Sequence, residues 1–538
     1  MGQKFRAGDS PDQVMLMPAD PREWLPPGHL AWKVLDLAGE MDLSRFGAGY
    51  RPDGQGGRPY HPAMMATLLV YCYCRGRRSS REIEMATFDD VGARVICGGL
   101  HPDHSTVAEF VRQNTDAVLA LLPESVRACA REGLVSLEVV AGDGTKLKAN
   151  ASMTANLTRQ QLDAQISELE GWIDAEFRQW ARDMLDGEGA APADAGAASR
   201  DGGSPGPGPG GGDGGGKRTW KNKPGRAGQM LERRRAARAG LDALAGKDQE
   251  KLDARVAELA ARAGRKEAAV RAREEAAAAR LAARARKIAA GQRIPGTRPV
   301  ASAGQDRDVR RARKALDKTR ADYQAACQAA AAPAPDPDAK VNTTDPSSLV
   351  MPLKKGGFDQ LFNVQALATA RTQVILAVTR HLSPVDVQAL APLMDKARQT
   401  LRAAGITGQI LRALFDAGYA SDASFTLDIP ETLYIAVTRE ARQTGRSAGG
   451  RAPDTMLPSW QDMTARLQTS EGRALYRQRA ATIEPVFAQL TSRLGRTLHY
   501  RGNLADAELA LWAASHNILK AITARSKHPA RTATVPAA

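Results

Sequence analysis

The chain has 538 residues, enough for two or three domains, and 43% of them are hydrophobic, so a sizeable core can form. The formal net charge is +15, which is typical of proteins that bind polyanions such as nucleic acid, although a basic solvated surface also fits it. The five cysteines are odd in number and form no CxxC pair, which argues against a disulfide framework and a zinc ribbon. Since the first residues lack a signal-peptide core and no apolar run reaches about 18 residues, we expect a cytoplasmic protein without membrane spans.

The first 130 residues have the pattern of a small helical domain. The stretch HPAMMATLLVYCYC (61–74) is apolar enough for a buried helix. Ser79 with Glu82, and Thr106 with Glu109, have the spacing of capping boxes, and a Gly/Pro turn lies between them. Short capped helices around a turn favour a helix-turn-helix-like DNA-binding unit, but other small helical domains have the same features.

Strand patterns surround two aspartates that lie far apart in the sequence. Residues 134–152 predict a strand, a turn and a second extended piece, with Asp143 where apolar residues give way to polar ones. Later, residues 361–370 and 372–382 predict adjacent strands, and residues 384–402 predict a helix. A short apolar run precedes Asp416, and further strand and helix patterns follow it.

The segment between these strand patterns predicts a long helical hairpin. Apolar residues recur every three or four positions on both sides of a Gly/Pro-rich stretch that cannot bury enough surface to fold. Its arginines could bind DNA and its apolar stripes could pair with another chain, and we favour a spacer role slightly over a DNA-reading one.

This order of elements is the plan of a ribonuclease-H-like core. In such a core the first strand lies beside the fourth, so Asp143 and Asp416 would become neighbours, and a helix on the same sheet would bring Glu484 as a third carboxylate. Carboxylates that converge on one point bind hard cations such as Mg²⁺ or Mn²⁺. Two such ions can assist in-line phosphoryl displacement. The predicted fold class is therefore an α/β ribonuclease-H-like catalytic core with a helical N-terminal domain and a long α-helical insertion.

The motifs carry a resemblance to a known family. The chain resembles the DDE transposases of bacterial insertion sequences, in the branch with a long insertion after the first aspartate, named for insertion sequence eleven-eighty-two. The resemblance covers about residues 10–160 and 340–523. It rests on RPYHPAMMATLLVYCYCRGRRSSREIE, HSTVAEFVRQN, VVAGDGTKLKANAS, NTTDPSS, KKGGFDQLFNVQ, LFDAGYAS, YRQRAATIEPVF, RG and ASHNILK.

The resemblance implies roles for individual residues. Asp143, Asp416 and Glu484 would be the catalytic, metal-binding triad, holding Mg²⁺ or Mn²⁺, with two ions expected. Tyr476 and Arg479 match an element that contacts DNA phosphates near the cut in related transposases. This chain has Thr491 where the family usually has a lysine, and a hydroxyl carries no charge.

The other carboxylates and histidines have simpler readings. Asp422 and Glu471 are the next candidates for metal-binding carboxylates. Asp345 precedes Pro346, which favours a turn, and we interpret it as a structural residue. We expect His101, His104 and His516 to be structural groups and not metal ligands.

The implied reaction is phosphodiester hydrolysis at the inverted terminal repeats of a mobile element, followed by strand transfer of the freed 3′-hydroxyl into target DNA. The implied partners are double-stranded DNA and a second copy of the chain in the DNA complex. Two alternatives stay open, a nuclease on the same core that cuts without joining, and a non-catalytic DNA-binding or coiled-coil protein from a decayed copy. The predicted boundaries are 1–130 for the helical N-terminal DNA-binding domain, 131–152 for the first part of the core, 153–340 for the insertion with a disordered linker at 187–227, 341–523 for the second part of the core, and 524–538 for a disordered tail.

Overall fold

The computed structural model describes residues 20–48, 59–187, 224–292, 302–331, 338–353, 356–437 and 458–527. Most of the predicted linker, residues 188–223, lies outside them. The chain divides into two compact units, one formed by Met1–Thr154 with Ser347–Ala538 and the other by Ala155–Pro346.

In chain order, the helices and strands of the described residues are α1 (Leu30–Glu40), α2 (Pro62–Cys74), α3 (Ser80–Asp89), α4 (Val91–Ile96), α5 (His104–Gln113), α6 (Thr115–Leu119), α7 (Leu121–Arg131), β1 (Val139–Lys148), β2 (Asn156–Thr158), α8 (Arg159–Gly187), α9 (Pro224–Ala289), α10 (Arg307–Ala331), β3 (Lys340–Asn342), β4 (Leu349–Pro352), β5 (Phe358–Thr369), β6 (Ile375–His381), α11 (Leu390–Ala403), β7 (Arg412–Phe415), α12 (Asp422–Phe425), β8 (Thr432–Ile435), α13 (Pro458–Gln468), α14 (Ser470–Tyr476), α15 (Gln478–Leu494) and α16 (Asn503–Lys527).

The N-terminal helices confirm one predicted capping box and correct the other. At α3 the Ser79 hydroxyl accepts the Glu82 N–H at 3.2 Å, and the Glu82 carboxylate accepts the Ser79 N–H at 2.9 Å. At α5 the cap is Asp103, whose carboxylate accepts the N–H groups of Ser105 and Thr106. The prediction of a box at Thr106 was wrong because the aspartate begins the helix earlier and places Thr106 in its first turn.

The first unit is organised around a mixed sheet. Its strand order is β4-β5-β1-β7-β8, and β6 also pairs with β5. β1 is antiparallel to β5 and parallel to β7, and β7 is parallel to β8. The predicted turn after Asp143 was wrong: β1 is continuous, because the long strand β5 supplies pairing partners from Val140 to Lys148.

α16 joins the N-terminal helices to the sheet. It packs against α2, α6, α7 and β6, and its residues 507–518 are buried. The buried Asn517 on it is paired: its amide accepts from Ile375 N and donates to Ile375 O and to the Ser125 hydroxyl. One hydrophobic core therefore extends through the N-terminal helices and the sheet.

The predicted tail begins too early. α16 continues to Lys527, and Arg525 within it pairs with Glu40 at 2.7 Å and with Glu132 at 2.8 Å. These ion pairs hold the last turns against the N-terminal helices. Residues 528–538 lie outside the described residues.

Close packing at Gly142 leads to a stability prediction. A Cβ at this position in β1 would lie 2.3 Å from Cε1 of Phe415 in β7, so a larger residue must displace a buried ring. We expect Gly142→Ala to lower the free energy of unfolding by about 2 kcal/mol, the usual cost of overpacking a core. Gly39→Ala, in the open surroundings of α1, is the matched control and should cause no loss. Equal melting temperatures of the two variants in calorimetry would contradict this packing.

The second unit contains long helices, as the hydrophobic pattern predicts. α9 has 66 residues, about 99 Å at 1.5 Å per residue. α8 and α10 both pack on α9, and β2 pairs with β3, although the sequence did not indicate this short sheet. Several arginines are paired with acids on neighbouring helices, as Arg238 is with Asp163 at 2.6 Å and Arg235 with Glu170 at 2.9 Å.

Among the described residues, no helix combines the length and the apolar character that crossing a membrane requires.

Candidate active site

Asp143 and Asp416 reach the same edge of the sheet through the parallel pairing of β1 with β7. Ala141 lies opposite Leu414 in this register, and each strand presents an aspartate two residues further on. The Asp143 carboxylate accepts the Gly144 N–H at 2.8 Å, and the Asp416 carboxylate accepts the Gly418 N–H at 2.9 Å. The strand order therefore brings together two carboxylates that are far apart in the sequence.

The electrostatic environment of Asp143 reflects this proximity. Burial raises the pKa of its carboxyl, the positive charge of Arg479 lowers it, and the negative charge of Asp416 raises it again, so that the net shift is upward. A neighbouring carboxylate that raises the pKa of Asp143 favours binding of a cation between the two acids.

In the structure the cation beside these acids is a protein side chain. Arg479 on α15 places Nη1 3.1 Å from Oδ2 of Asp143 and Nη2 3.7 Å from Oε1 of Glu484, and its own side chain is only 4% exposed. Burial lowers the pKa of Arg479, but the neighbouring Tyr476, Asp143 and Asp416 raise it above its usual value on balance. Arg479 is thus a charged internal counter-ion of the carboxylates.

Glu484 lies on the solvent side of this group. Its side chain is 57% exposed, and it pairs with Arg479. Within the described part of the chain, no set of three or more His, Cys, Asp or Glu side chains is gathered closely enough to hold a metal ion. The structure therefore brings Asp143 and Asp416 together directly and connects Glu484 to Asp143 through the guanidinium.

Pro485 lies inside α15, at a position where a proline usually kinks or breaks a helix. A proline has no N–H to donate to the carbonyl four residues earlier, which here belongs to Ala481. The Gln373 side-chain amide donates to that carbonyl at 3.2 Å and replaces the missing donor. The helix can therefore continue past Glu484.

Asp386 is a further carboxylate at this edge, and sequence reasoning missed it. It accepts hydrogen bonds from the amides of Asn363 at 2.9 Å and Gln365 at 2.7 Å. The sequence predicted a helix over 384–402, but α11 begins only at Leu390, which leaves Asp386 in the loop after β6. An aspartate shortly after a strand, as at Asp416, was the signal that could have identified it.

The glycines beside the aspartates show how closely the oxygens approach each other. A Cβ at Gly418 would lie 2.9 Å from Oδ1 of Asp416 and 3.2 Å from Oδ2 of Asp386, and one at Gly144 would lie 3.1 Å from Oδ1 of Asp386. The carboxylates at this edge offer only oxygen donors, the ligand type that hard divalent cations prefer. The donor chemistry thus fits such an ion, provided that Arg479 gives up its contact with Asp143.

Tyr419 is buried and orients the side-chain amide that binds Asp386. Its hydroxyl donates to the Gln365 side-chain oxygen, which directs the Gln365 NH₂ group to Asp386. Burial and the charges of Asp386, Asp143 and Asp416 raise the pKa of Tyr419 well above its usual value. The phenol therefore stays protonated and keeps the amide in this orientation.

The two alternative candidates for metal-binding carboxylates, Asp422 and Glu471, have other partners. Asp422 accepts from the Ser459 hydroxyl, and Glu471 pairs with Arg412 at 3.1 Å.

Each histidine that we expected to be structural has a protein partner. The pairs are His101 with Thr87 at 3.0 Å, His104 with Glu84 at 2.8 Å and His516 with the Gln373 carbonyl at 2.9 Å.

The other residues singled out by the sequence lie on α15, which bears Glu484, or on the helix just before it. Tyr476 is half-buried at the end of α14, and Arg479 is buried near the start of α15. The Thr491 hydroxyl donates to the Phe487 carbonyl at 2.8 Å within α15. It is thus already used inside its own helix.

Comparison with known proteins gives two family matches. A model described as Transposase domain (DUF772) matches residues 19–113, and one described as Transposase DDE domain matches residues 455–522. The second match includes Tyr476, Arg479 and Glu484, whereas Asp143 and Asp416 lie outside both. No curated protein and no solved structure matches the chain. DDE transposases bind DNA, cleave it and transfer its strands, in general with divalent metal ions. The two matches support a DDE transposase of an insertion sequence.

Proposed function

We propose that Asp143, Asp416 and Glu484 are the metal-binding carboxylates with which this transposase cuts the inverted terminal repeats of its element and joins them to target DNA. The observation that carries the proposal is the parallel pairing of β1 with β7, which sets Asp143 beside Asp416, next to the helix that bears Glu484. The ion would be Mg²⁺ or Mn²⁺, with two ions expected, and the core would be ribonuclease-H-like. The element would belong to the branch with a long insertion after the first aspartate.

The protein's own groups have distinct tasks in this proposal. Asp143 and Asp416 provide oxygen ligands from adjacent strands, and Asp386 adds negative charge that the amides of Asn363 and Gln365 hold in place. Arg479 balances these charges until an external cation does so. Glu484 is exposed and can complete the ligand set from the side that DNA approaches. Bound divalent ions would activate the attacking oxygen and stabilise the leaving one.

The reaction needs no covalent intermediate on the protein. Water attacks a phosphodiester at the element end, and the O3′ leaving group takes up a proton to become a 3′-hydroxyl. That hydroxyl then attacks a phosphodiester of the target and displaces another O3′. Each step exchanges one P–O bond for another, so the same carboxylates can serve both.

DNA contacts complete the proposal. Tyr476 is half-buried beside Arg479 and would contact a phosphate near the cut, and Arg479 would do so once it leaves Asp143. The N-terminal helices would supply further DNA contacts. Because two element ends must be joined to one target, we propose a homodimer in the DNA complex.

The test uses the full chain, a labelled duplex that carries one element end, a target plasmid and Mg²⁺. The proposal predicts new 3′-hydroxyl ends at the element boundary and covalent end–target products, both abolished by EDTA. Cutting without joining would indicate a nuclease, and binding without cutting would indicate a non-catalytic copy. Either result would overturn the proposed reaction.

A further inference from the structure

An open cleft of about 750 Å³ lies in the first unit, and its lining does not include Asp143, Asp416 or Glu484. The end of α7, the turn between β5 and β6, and one side each of α15 and α16 form its walls. Four cationic side chains line it, namely Arg371, Arg493, Lys520 and Lys527.

The charge of this cationic cleft is not balanced by protein groups. None of its four cations forms an ion pair with a carboxylate in the part of the chain that the structure describes. The one acid in the wall, Glu132, is paired with Arg525 at 2.8 Å. His516 is also in the wall, and burial lowers its pKa to about 4, so it adds no charge at neutral pH. With four cations and one acid, the wall of the cleft carries a net charge of +3.

Two of the cations are held in place by neutral groups. Lys520 is half-buried and donates to the Gln373 side-chain oxygen at 3.2 Å, and Arg493 donates to the Ser515 hydroxyl at 3.2 Å. The Nε of Arg493 is buried and has no hydrogen-bond partner among the residues that the structure describes. Burial lowers the pKa of Lys520, so an anion in the cleft would offset part of the desolvation. Arg371 and Lys527 are exposed and free to follow an extended ligand.

The cleft is linked to the active site through Gln373 and α15. Gln373 has a left-handed backbone, with φ +57°, and its contacts to Ala481, Lys520 and His516 hold this turn in place. The cleft residues on α15, from Gln489 to Arg493, follow Glu484 by five to nine positions. That is about 8–14 Å along the helix, or roughly two to four base steps of a DNA strand.

We propose that the cationic cleft binds the phosphodiester backbone of DNA, without reading sequence, a few nucleotides from the phosphate at the carboxylates. The placement of that phosphate rests on the proposed function, whereas the cleft itself does not. Four cations that form no ion pair among the described residues, two of them held in place by neutral groups, suit a row of phosphates, and their charge would add to DNA affinity in a chain that has no lysine at position 491.

The test measures DNA affinity of the full chain in EDTA, where cleavage plays no part. The probes are two labelled duplexes, one with an element end and one of arbitrary sequence, titrated at several salt concentrations. The variant is Arg371→Gln/Lys527→Gln, and the control is Arg45→Gln/Arg402→Gln, which removes two exposed cations of the same unit outside the cleft. Pyrophosphate is added as a competitor.

The cleft variant should lose about fivefold in DNA affinity for each phosphate contact removed, near 0.15 M salt. The slope of log affinity against log salt concentration should become shallower by about 0.9 for each contact. Both duplexes should be affected equally, and the control should match the parent. An unchanged slope, an equal loss in the control, or a loss on the element end alone would overturn the proposal, as would displacement of DNA by submillimolar pyrophosphate. Failure of the proposed function would appear instead in the separate assay with Mg²⁺, as intact DNA binding without strand cleavage.

Discussion

Replacing Asp143 by Asn should abolish both strand cleavage and strand transfer, with a rate loss of about a thousandfold or more, equivalent to about 4 kcal/mol of transition-state stabilisation. The amide keeps the shape of the side chain but removes the charge that a divalent cation needs. Asp416→Asn should behave in the same way, because Asp416 contributes from the adjacent strand. The measurement is the initial rate of cleavage of a labelled element-end duplex in Mg²⁺.

The matched control for this pair is Asp422→Asn. Asp422 follows Asp416 closely in the sequence, but its carboxylate accepts from the Ser459 hydroxyl and is not among the charges that shift the pKa of Asp143. It should retain cleavage within a fewfold of the parent. Activity in Asp143→Asn equal to that of Asp422→Asn would remove Asp143 from the mechanism.

Replacing Arg479 by Gln should destabilise the metal-free protein by about 3 kcal/mol, as expected when one partner of a buried ion pair is removed. Asp143 and Asp416 would then face each other without their counter-ion. Because the pKa of Asp143 is already raised, and losing Arg479 raises it further, the stability loss should grow as pH rises through this pKa and shrink at lower pH. Mg²⁺ should stabilise the variant more than the parent, since no guanidinium competes for the carboxylates.

Arg412→Gln is the matched control for this experiment. Arg412 contacts Glu471 at the same distance of 3.1 Å, but Glu471 is 64% exposed. The loss of a pair at the surface should cost less than about 1 kcal/mol and should leave the response to Mg²⁺ unchanged. Thermal melts in EDTA and in Mg²⁺ test both variants, and equal behaviour of the two would show that Arg479 is not a counter-ion of the metal-binding carboxylates.

The sequence predicted that the strands of Asp143 and Asp416 are adjacent, because this follows from local hydrophobic patterns and from the order of the elements along the chain. Apolar runs identified the strands at Asp143 and Asp416, and the order of elements predicted that these strands are adjacent. The continuous course of β1 past Asp143 was not predictable in this way, since it depends on pairing with β5, more than 200 residues away.

The remaining features of the site depend on contacts between distant residues. The donor that lets α15 continue through Pro485 is Gln373, 108 positions away in the sequence from the carbonyl it serves. The burial of Arg479 depends on which face of α15 meets the sheet, and a short pattern does not determine that. Asp386 was missed because a helical pattern covered a segment whose first residues form a loop.

Metal-directed cleavage of the polypeptide tests most directly whether a divalent cation binds where β1, β7 and α15 meet. Fe²⁺ would replace Mg²⁺, and ascorbate with hydrogen peroxide would generate hydroxyl radicals that cut the nearby backbone. We predict fragments that end near residues 143, 416 and 484, and their loss in the double variant Asp143→Asn/Asp416→Asn. Fragments that end elsewhere, or the same fragments in the double variant, would contradict a metal site at these carboxylates.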